Sequence, residues 1–473
     1  MFEYFIPVDV YNLEKKERIN EPVKIDLHFD IFLPNEYGIN LNDENDNQIP
    51  FQIFNTIKKN DKLVFASIYI ICSFLPNQKK KSFKFLLSKE PIKTNNLEGI
   101  KKCQTKLEDG FVNLDTGKYI IELCKGTAKG HGGSKWGIRH FEHKEQGINL
   151  IKDNNNAFGG VYGPFFTVEN GLINPPAHMI MNIEVITEGP LACIYKMHGT
   201  IPNGLRNELK NKKLEIYWSF FYNSNWFIRS YYLDDYVTHI DGKECKNKMT
   251  VGDEIESGKN NLQLDRYSHY DDTNYRRGDL YAEILLKKIN EIKDRSPNIV
   301  INAMKKLNID PNEDPSSWHW DNYWRMFCLL EKTMPLEDLA REVKEIGFDA
   351  NKTVWANEDH CKIIKSKKPV DVNSENQQTI FAINTNKTCE TNTKNNYSFV
   401  RYSNNNIARL QIVQRKASGW VNWGTNGENE YPELPSGSTI ISAYGKFDNW
   451  KSEVDKMEEK LIIKINQTLK INS

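Results

Sequence analysis

The chain has 473 residues, with 63 Lys+Arg against 63 Asp+Glu, so its formal net charge is zero. At roughly 150 residues per domain, that is enough for two to four units with large cores. A balanced charge argues against a nucleic-acid polyanion or an anionic membrane surface as the main partner.

Residues 1–92 read as short strands. FEYFIPVDVYN alternates loosely and VKIDLHFDIFL alternates well. KLVFASIYIICSF is a buried strand or pair, and SFKFLL closes the set. Turn clusters (LPNEYG, NDENDNQ, LPNQKKK) lie between them. A small all-β barrel or sandwich fits. The chain enters its first strand without a basic n-region or a cleavage site. The longest apolar run, Val64 to Leu75, is about half of what a membrane span needs. The eight cysteines are scattered, with no CxxC, and several sit in apolar runs. They read as small buried hydrophobes of a reduced compartment. A cytoplasmic protein without a membrane partner is expected.

Residues 93–295 continue with longer strands: FVNLDTGKYIIELC, MIMNIEVITEG, ACIYKMHGTI, KLEIYWSFFY, WFIRSYYLDDYV and LYAEILLKK. Their length and aromatic content predict a large antiparallel sandwich. Residues 296–357 change to helical spacing, as in PNIVINAMKKL and SSWHWDNYWRMFCLLEK, and predict a helical insertion. Residues 358–473 return to strands that complete the sandwich. Trp450, Val454, Met457 and Leu461 then fall on one face of a closing helix over 448–470, with Asp448 as its N-cap. The predicted fold is mainly β: a small N-terminal barrel or sandwich, then a β supersandwich with a helical insertion.

The densest candidate site runs from His131 to Pro164. Gly130, Gly132 and Gly133 flank His131; Lys135, Trp136, Arg139, His140, Glu142 and His143 follow; Asn156 and Tyr162 come later. Glycine lets backbone approach a ligand closely. Trp and Tyr offer flat faces to sugar rings, and Arg, Lys and Asn suit carboxylates and hydroxyls. The plain alternative is a Gly-rich connection with solvated polar residues. On a strand, His140 and Glu142 share one face and His143 takes the other. This is not a recognised metal spacing. The sequence marks no certain cofactor, and a divalent metal (Ca or Zn) held by His131, His140 or His143 with a distant third ligand stays open.

Three further segments carry chemistry. Leu264 to Tyr281 places His269 near Tyr275 and Arg276. An arginine lowers the cost of a phenolate, so such a tyrosine can move a proton. Charge-paired edge residues are the equal alternative. Trp318 and His319 open a helical pattern, and Trp420 and Trp423 sit in a turn-rich, polar stretch suited to sugar stacking. Asp234 and Asp235 are adjacent, so on a strand they point to opposite faces and do not form a carboxylate pair.

The segments PVDVYN, EPVKIDLHF and LNDENDNQIPFQIFN resemble the small barrel that opens the rhamnogalacturonan exolyase (YetA-like) family. Asn42-Asp43-Glu44-Asn45 and Ile49-Pro50-Phe51-Gln52 match its pattern. IEVITEGPLACIYKMHGTI, with Gly189-Pro190-Leu191 and His198-Gly199, is similar to the supersandwich of that family and of galactose-mutarotase-like domains. The likeness covers about 200 to 250 residues, and the α/α toroid that ends that family has no counterpart here. It implies a carbohydrate-active protein, first of all a lyase of uronate-containing oligosaccharides, working alone or as a homo-oligomer. A lyase neutralises the uronate carboxylate, removes the C5 proton and protonates the leaving oxygen. Arg139, Lys135 or Asn156 would do the first; His140, His143 or His269 would be the base; Tyr275 or Tyr162 would be base or acid, tuned by Arg276. His131, Trp136, Trp318, His319 and Trp423 would hold the sugar. A glycoside hydrolase, an epimerase or mutarotase, or a non-catalytic sugar-binding protein on the same scaffold are the alternatives. The chemistry requires that the His131–Pro164 stretch and the 264–281 segment line one concave face.

Overall fold

The computed structural model describes residues 4–29, 36–90, 98–129, 133–151, 157–162, 179–201, 211–235, 237–240, 243–246, 250–256, 264–269, 274–277, 289–313, 362–365, 369–371, 378–382, 386–404, 410–414, 420–425, 436–466 and 470–471. Among these residues the chain is mainly β, in antiparallel sheets with no closed barrel.

Period-two sequence builds the first sandwich. In Arg18–His28, Val23, Ile25 and Leu27 are buried while Lys24 and Asp26 face out. This strand pairs with Lys62–Phe74, which pairs in turn with Gln52–Lys59, giving a three-stranded sheet. The opposing sheet runs in the order Ile39–Asp43, Lys80–Leu87, Tyr4–Tyr11, Ile462–Ile465, and Lys470–Ile471 also pairs with the opening strand. Ile6, Val8, Leu41, Phe85 and Leu87 from this sheet meet Ile25, Leu27, Ile68 and Ile70 from the other in one apolar core.

The last strand departs from expectation. The helix predicted over 448–470 spans only Trp450–Glu458, and its N-cap is Asn449 rather than Asp448. The Asn449 side chain accepts from the N–H of Lys451 and Ser452. Val454 and Met457 are buried as predicted. Leu461, the fourth residue of the helical period, instead packs on the first sandwich. The C-terminal region therefore completes both sandwiches. Of the predicted helical insertion, Pro297–Lys306 is a helix with Pro at its first turn. Residues 314–357 of the insertion, and LYAEILLKK before the helix, lie outside the described residues.

The second sandwich pairs two large sheets. The nine-stranded sheet runs in the order Asn182–Glu188, Ala192–Thr200, Lys213–Phe221, Trp226–Leu233, Ser438–Lys446, Tyr397–Ser403, Lys387–Asn392, Arg266–His269, Val370–Asp371. The twelve-stranded sheet contains Gly110–Asp115, Tyr119–Cys124, Gly137–His143, Phe158–Tyr162, Thr250–Glu256 and Trp420–Thr425 among its neighbours. Ile121, Ile138, Phe141 and Phe158 from the second sheet close on Ile216, Trp218, Phe227, Phe399 and Tyr444 from the first. The Trp450–Glu458 helix covers part of the outer face of the nine-stranded sheet, over Trp226, Val400, Ile441 and Ala443.

Two polar joints tie the sandwiches together. The Gln52 side chain accepts from the N–H of Leu191 (3.0 Å) and Ala192 (2.7 Å) and donates to the Ala192 carbonyl (2.9 Å). The two segments that carry the sequence resemblance thus meet, and a side chain at Gly189 would run into the Gln52 amide. At the second joint, buried Arg18 pairs with Glu21 at 2.6 Å and donates to the carbonyls of Lys456 (3.2 Å) and Glu459 (2.7 Å), the exposed end of the covering helix.

Candidate functional site

In its described residues the Gly/His-rich stretch becomes three strands of the twelve-stranded sheet, Gly137–His143, Ile148–Asn149 and Phe158–Tyr162. Two of its described glycines serve the protein's own packing. Gly137 has φ of +127°, and a side chain there would meet the Phe158 carbonyl. Gly159 has φ of +82°, and a side chain there would run into the Trp218 ring. Trp136 is fully buried in the core, so its faces meet protein and are closed to a sugar ring. Arg139 is buried and bound to Asp109 at 2.6 and 2.8 Å, which commits its charge internally. Lys135 is half-buried.

The histidines divide between the faces of the strand, as its period requires. His140 lies 3.2 Å from Glu142 on the partly exposed face. His143 points inward and is buried, ringed by Tyr119, Tyr397 and Tyr444 at centroid distances of 5.6, 5.1 and 6.2 Å. Its Nδ1 has no hydrogen-bond partner. Burial lowers its pKa, so it is held as the neutral imidazole.

The Tyr/Arg segment does not join them. Arg266–His269 lies in the nine-stranded sheet, where His269 pairs with Thr388, while Asn274–Arg277, carrying Tyr275 and Arg276, lies in the twelve-stranded sheet. Six ladder steps separate the strands of His140 and Tyr275, roughly 29 Å along the sheet. That is far beyond the hydrogen-bond reach an acid–base pair needs. The expectation of one joint face is corrected accordingly. Tyr162 pairs with Thr250 at the end of its strand, and Trp423 pairs with Asp253 and Ile412. His131, Asn156, Trp318 and His319 lie outside the described residues. Among the described residues, no group of three His, Cys, Asp or Glu side chains is placed to hold a metal. Among the described residues Cys72, Cys124, Cys193 and Cys389 are buried free thiols and Cys103 is an exposed one.

A different surface gathers the groups that a polar ligand needs. The strands Asn182–Glu188, Ala192–Thr200, Lys213–Phe221 and Trp226–Leu233 send Ile183, Met197, Ile216 and Tyr231 inward. The alternate residues form a cross-strand grid on the outer face. His198 pairs with Glu184 at 2.9 Å, and Lys196 with Glu215 at 2.6 Å. The hydrogen bond to Glu215 raises the Lys196 pKa. Glu215 stands opposite Tyr232, and Tyr217 meets Tyr232 edge-on at 5.6 Å. Tyr232 is 42% exposed.

At the end of this grid, Lys213, Glu215, Tyr232, Leu233, Asp234 and Ser436 line a groove of about 200 Å³. Asp234 and Asp235 follow their strand rather than lie within it, and both are exposed. The Asp234 carboxylate accepts from the Lys213 N–H at 2.9 Å. The groove therefore offers one open aromatic face, two carboxylates held as acceptors, and one ammonium. Apart from Asp234, these residues do not stand out in the sequence, although alternation in KLEIYWSFFY already sets Glu215 and Tyr217 on the face opposite Ile216 and Trp218.

No family model matches the chain, and no curated protein matches it. Solved structures similar to it include an alpha-mannosidase from Enterococcus faecalis V583, at a TM-score of 0.45 and 8% identity, covering 98% of this chain and 46% of that one. The chain thus spans about half the length of that protein. A TPR-domain containing protein from Parabacteroides distasonis ATCC 8503 matches at a TM-score of 0.38 and 6% identity, over 91% of this chain and 56% of that one. Galactose 1-epimerase from Lactobacillus acidophilus NCFM matches at a TM-score of 0.35 and 9% identity, over 74% of this chain and 99% of that one. Likeness this low carries no argument about activity, and the rhamnogalacturonan exolyase family is not shown.

Proposed function

We propose that this chain is a carbohydrate-binding β-sandwich protein that holds a neutral sugar over Tyr232. The observation that carries the reading is the groove where an exposed tyrosine face stands beside Glu215, Asp234 and Lys213. An aromatic face takes the apolar C–H side of a pyranose, and carboxylates and an ammonium take its hydroxyls. Two carboxylates against one lining lysine disfavour a uronate by like-charge repulsion. This moves the reading away from uronate lyase. Arg139, one of the residues that would neutralise a carboxylate there, is committed to Asp109, and His143, one of the candidate bases, is buried.

A second reading, glycoside hydrolysis or anomeric epimerisation, rests on the two carboxylates sharing one groove, since sugar hydrolysis runs on such pairs. Glu215 is tied to Lys196 and the Asp234 carboxylate to the Lys213 N–H. Both carboxylates are thus engaged by the protein itself, and binding is the stronger reading.

The test is a titration of the protein with neutral and uronate oligosaccharides, followed by calorimetry. Neutral sugars should bind, Tyr232→Ala should abolish that binding with the melting temperature unchanged, and Asp234→Asn should let uronates in. Wild-type affinity in Tyr232→Ala would sink the reading. Release of reducing ends or accelerated mutarotation, lost in Glu215→Gln, would favour the second.

A further inference from the structure

The polar surface around Tyr232 continues beyond the groove. Glu215 stands directly opposite Tyr232 on one side and His198 on the other, and His198 stands opposite Asn182. A second row runs beside it in the order Ser230, Tyr217, Lys196, Glu184. Both rows cross four adjacent strands and carry only polar and aromatic side chains, each at least partly exposed. The third row differs: Ile194 is buried, and Ile228 packs into the core under the Trp450–Glu458 helix. Further along the strand of Glu215, Phe221 is buried and meets Tyr69 of the small sandwich edge-on at 5.4 Å. The helix and the small sandwich thus close the path along the strands, and the open path runs across them, from Tyr232 toward Glu184.

The groove itself, at about 200 Å³, lies below the roughly 300–1,000 Å³ of sites that bury a drug-sized ligand, and fits a single ring. The two rows extend it by three ladder steps, about 14 Å, roughly the length of three linked pyranose rings. We propose that the ligand is a linear neutral oligosaccharide lying across these strands, with its first ring on Tyr232 and its last over the His198–Glu184 pair. The proposal rests on the sugar reading of the groove and names the size and direction of its ligand. Along this path the polar groups are held in pairs, Lys196 with Glu215 at 2.6 Å and His198 with Glu184 at 2.9 Å. The Lys196 ammonium also lies over the Tyr217 ring at 6.0 Å, midway along the path. Exposed pairs of this kind contribute little to stability. Their effect on a ligand is larger, because donors and acceptors already fixed in place bind hydroxyls without the cost of ordering long side chains.

Calorimetry on the full chain tests this with glucose, mannose and galactose and their β-1,4-linked di- and trisaccharides. In the series that binds, affinity should rise several-fold from the monosaccharide to the trisaccharide. His198→Ala and Glu184→Ala, both partly open to solvent, should each remove most of that gain with the melting temperature unchanged. Tyr232→Ala should abolish binding at every length. Equal affinity at all three lengths in the wild type overturns the inference while the Tyr232 reading stands. So does a length gain that both variants keep, since the added rings then lie elsewhere. No binding at any length overturns the Tyr232 reading and this inference with it.

Discussion

The two sandwiches reach a closed core by different chemistry. The small one is packed almost wholly with aliphatic and phenylalanine side chains, and its buried ion pair, Arg18–Glu21, sits at its border with the Trp450–Glu458 helix. The large one carries four fully buried charges between its sheets. Asp253, from the twelve-stranded sheet, is bound by Arg229 and by Arg401 (Nε, 3.0 Å) of the nine-stranded sheet, and Arg401 also holds Glu390. The Gly159 N–H adds a further donor to Asp253 at 3.0 Å. The two guanidiniums hold the Asp253 carboxyl below its usual range against the opposing effect of burial. Apolar packing says only that two faces are greasy. A charge lattice says which strand of one sheet lies over which strand of the other, and that matters more where strands from distant parts of the chain must find each other.

The sharpest break of this contrast is Asp253→Ala. It leaves two buried guanidiniums without their shared carboxylate and should cost about 3–5 kcal/mol in denaturant unfolding. Ile68→Val, a methylene lost from the small core, should cost only about 0.5–1.5 kcal/mol. Equal losses would refute the distinction. The joint between the sandwiches should rank next. Gln52→Ala strands the N–H groups of Leu191 and Ala192 and should cost about 1–3 kcal/mol. Separate melting of the two sandwiches in that variant, where the wild type melts once, would locate the loss at the joint.

The smallest effect concerns pH. His143 is neutral inside its tyrosine cage, with a pKa below the ordinary 6.5. As pH falls through 6.5 the unfolded chain takes up a proton that the folded chain resists, so stability is lost over that interval until the folded pKa is reached. Burial raises Glu21 to about 7 against the pull of Arg18, and this works with the opposite sign, since stability there is lost as pH rises toward 7. The melting temperature of His143→Phe should therefore fall less steeply between neutral and mildly acid pH than that of the wild type. Parallel curves would mean that the cage does not suppress protonation.

Much of the fold is legible in alternation. The spacing of Val23, Ile25 and Leu27 alone defines their strand and its inner face. Helical period misleads at one point: Leu461 continues the spacing of Trp450, Val454 and Met457 by coincidence, because the next strand begins there and buries it against a different core. The site is less legible, and for a physical reason. Density along the sequence is not density in space. On a strand, His140 and His143 part to opposite faces, and Tyr275 ends six strands away. Conversely, Tyr217 and Tyr232 stand in apolar runs that read as core. Only their odd position in the period marks them as outward.

The opening strand Tyr4–Tyr11 has a further consequence. It pairs on one side with Lys80–Leu87, made soon after it, and on the other with Ile462–Ile465 from the far end of the sequence. During synthesis the first sandwich can collapse early, but its sheet keeps a raw edge until the Ile462–Ile465 strand has been made. Closing so long a loop is slow, and an unpaired strand is open to wrong partners in the meantime. The sheet that Tyr4–Tyr11 opens is thus finished only by a strand made much later, and the yield of folded protein depends on how well that edge waits.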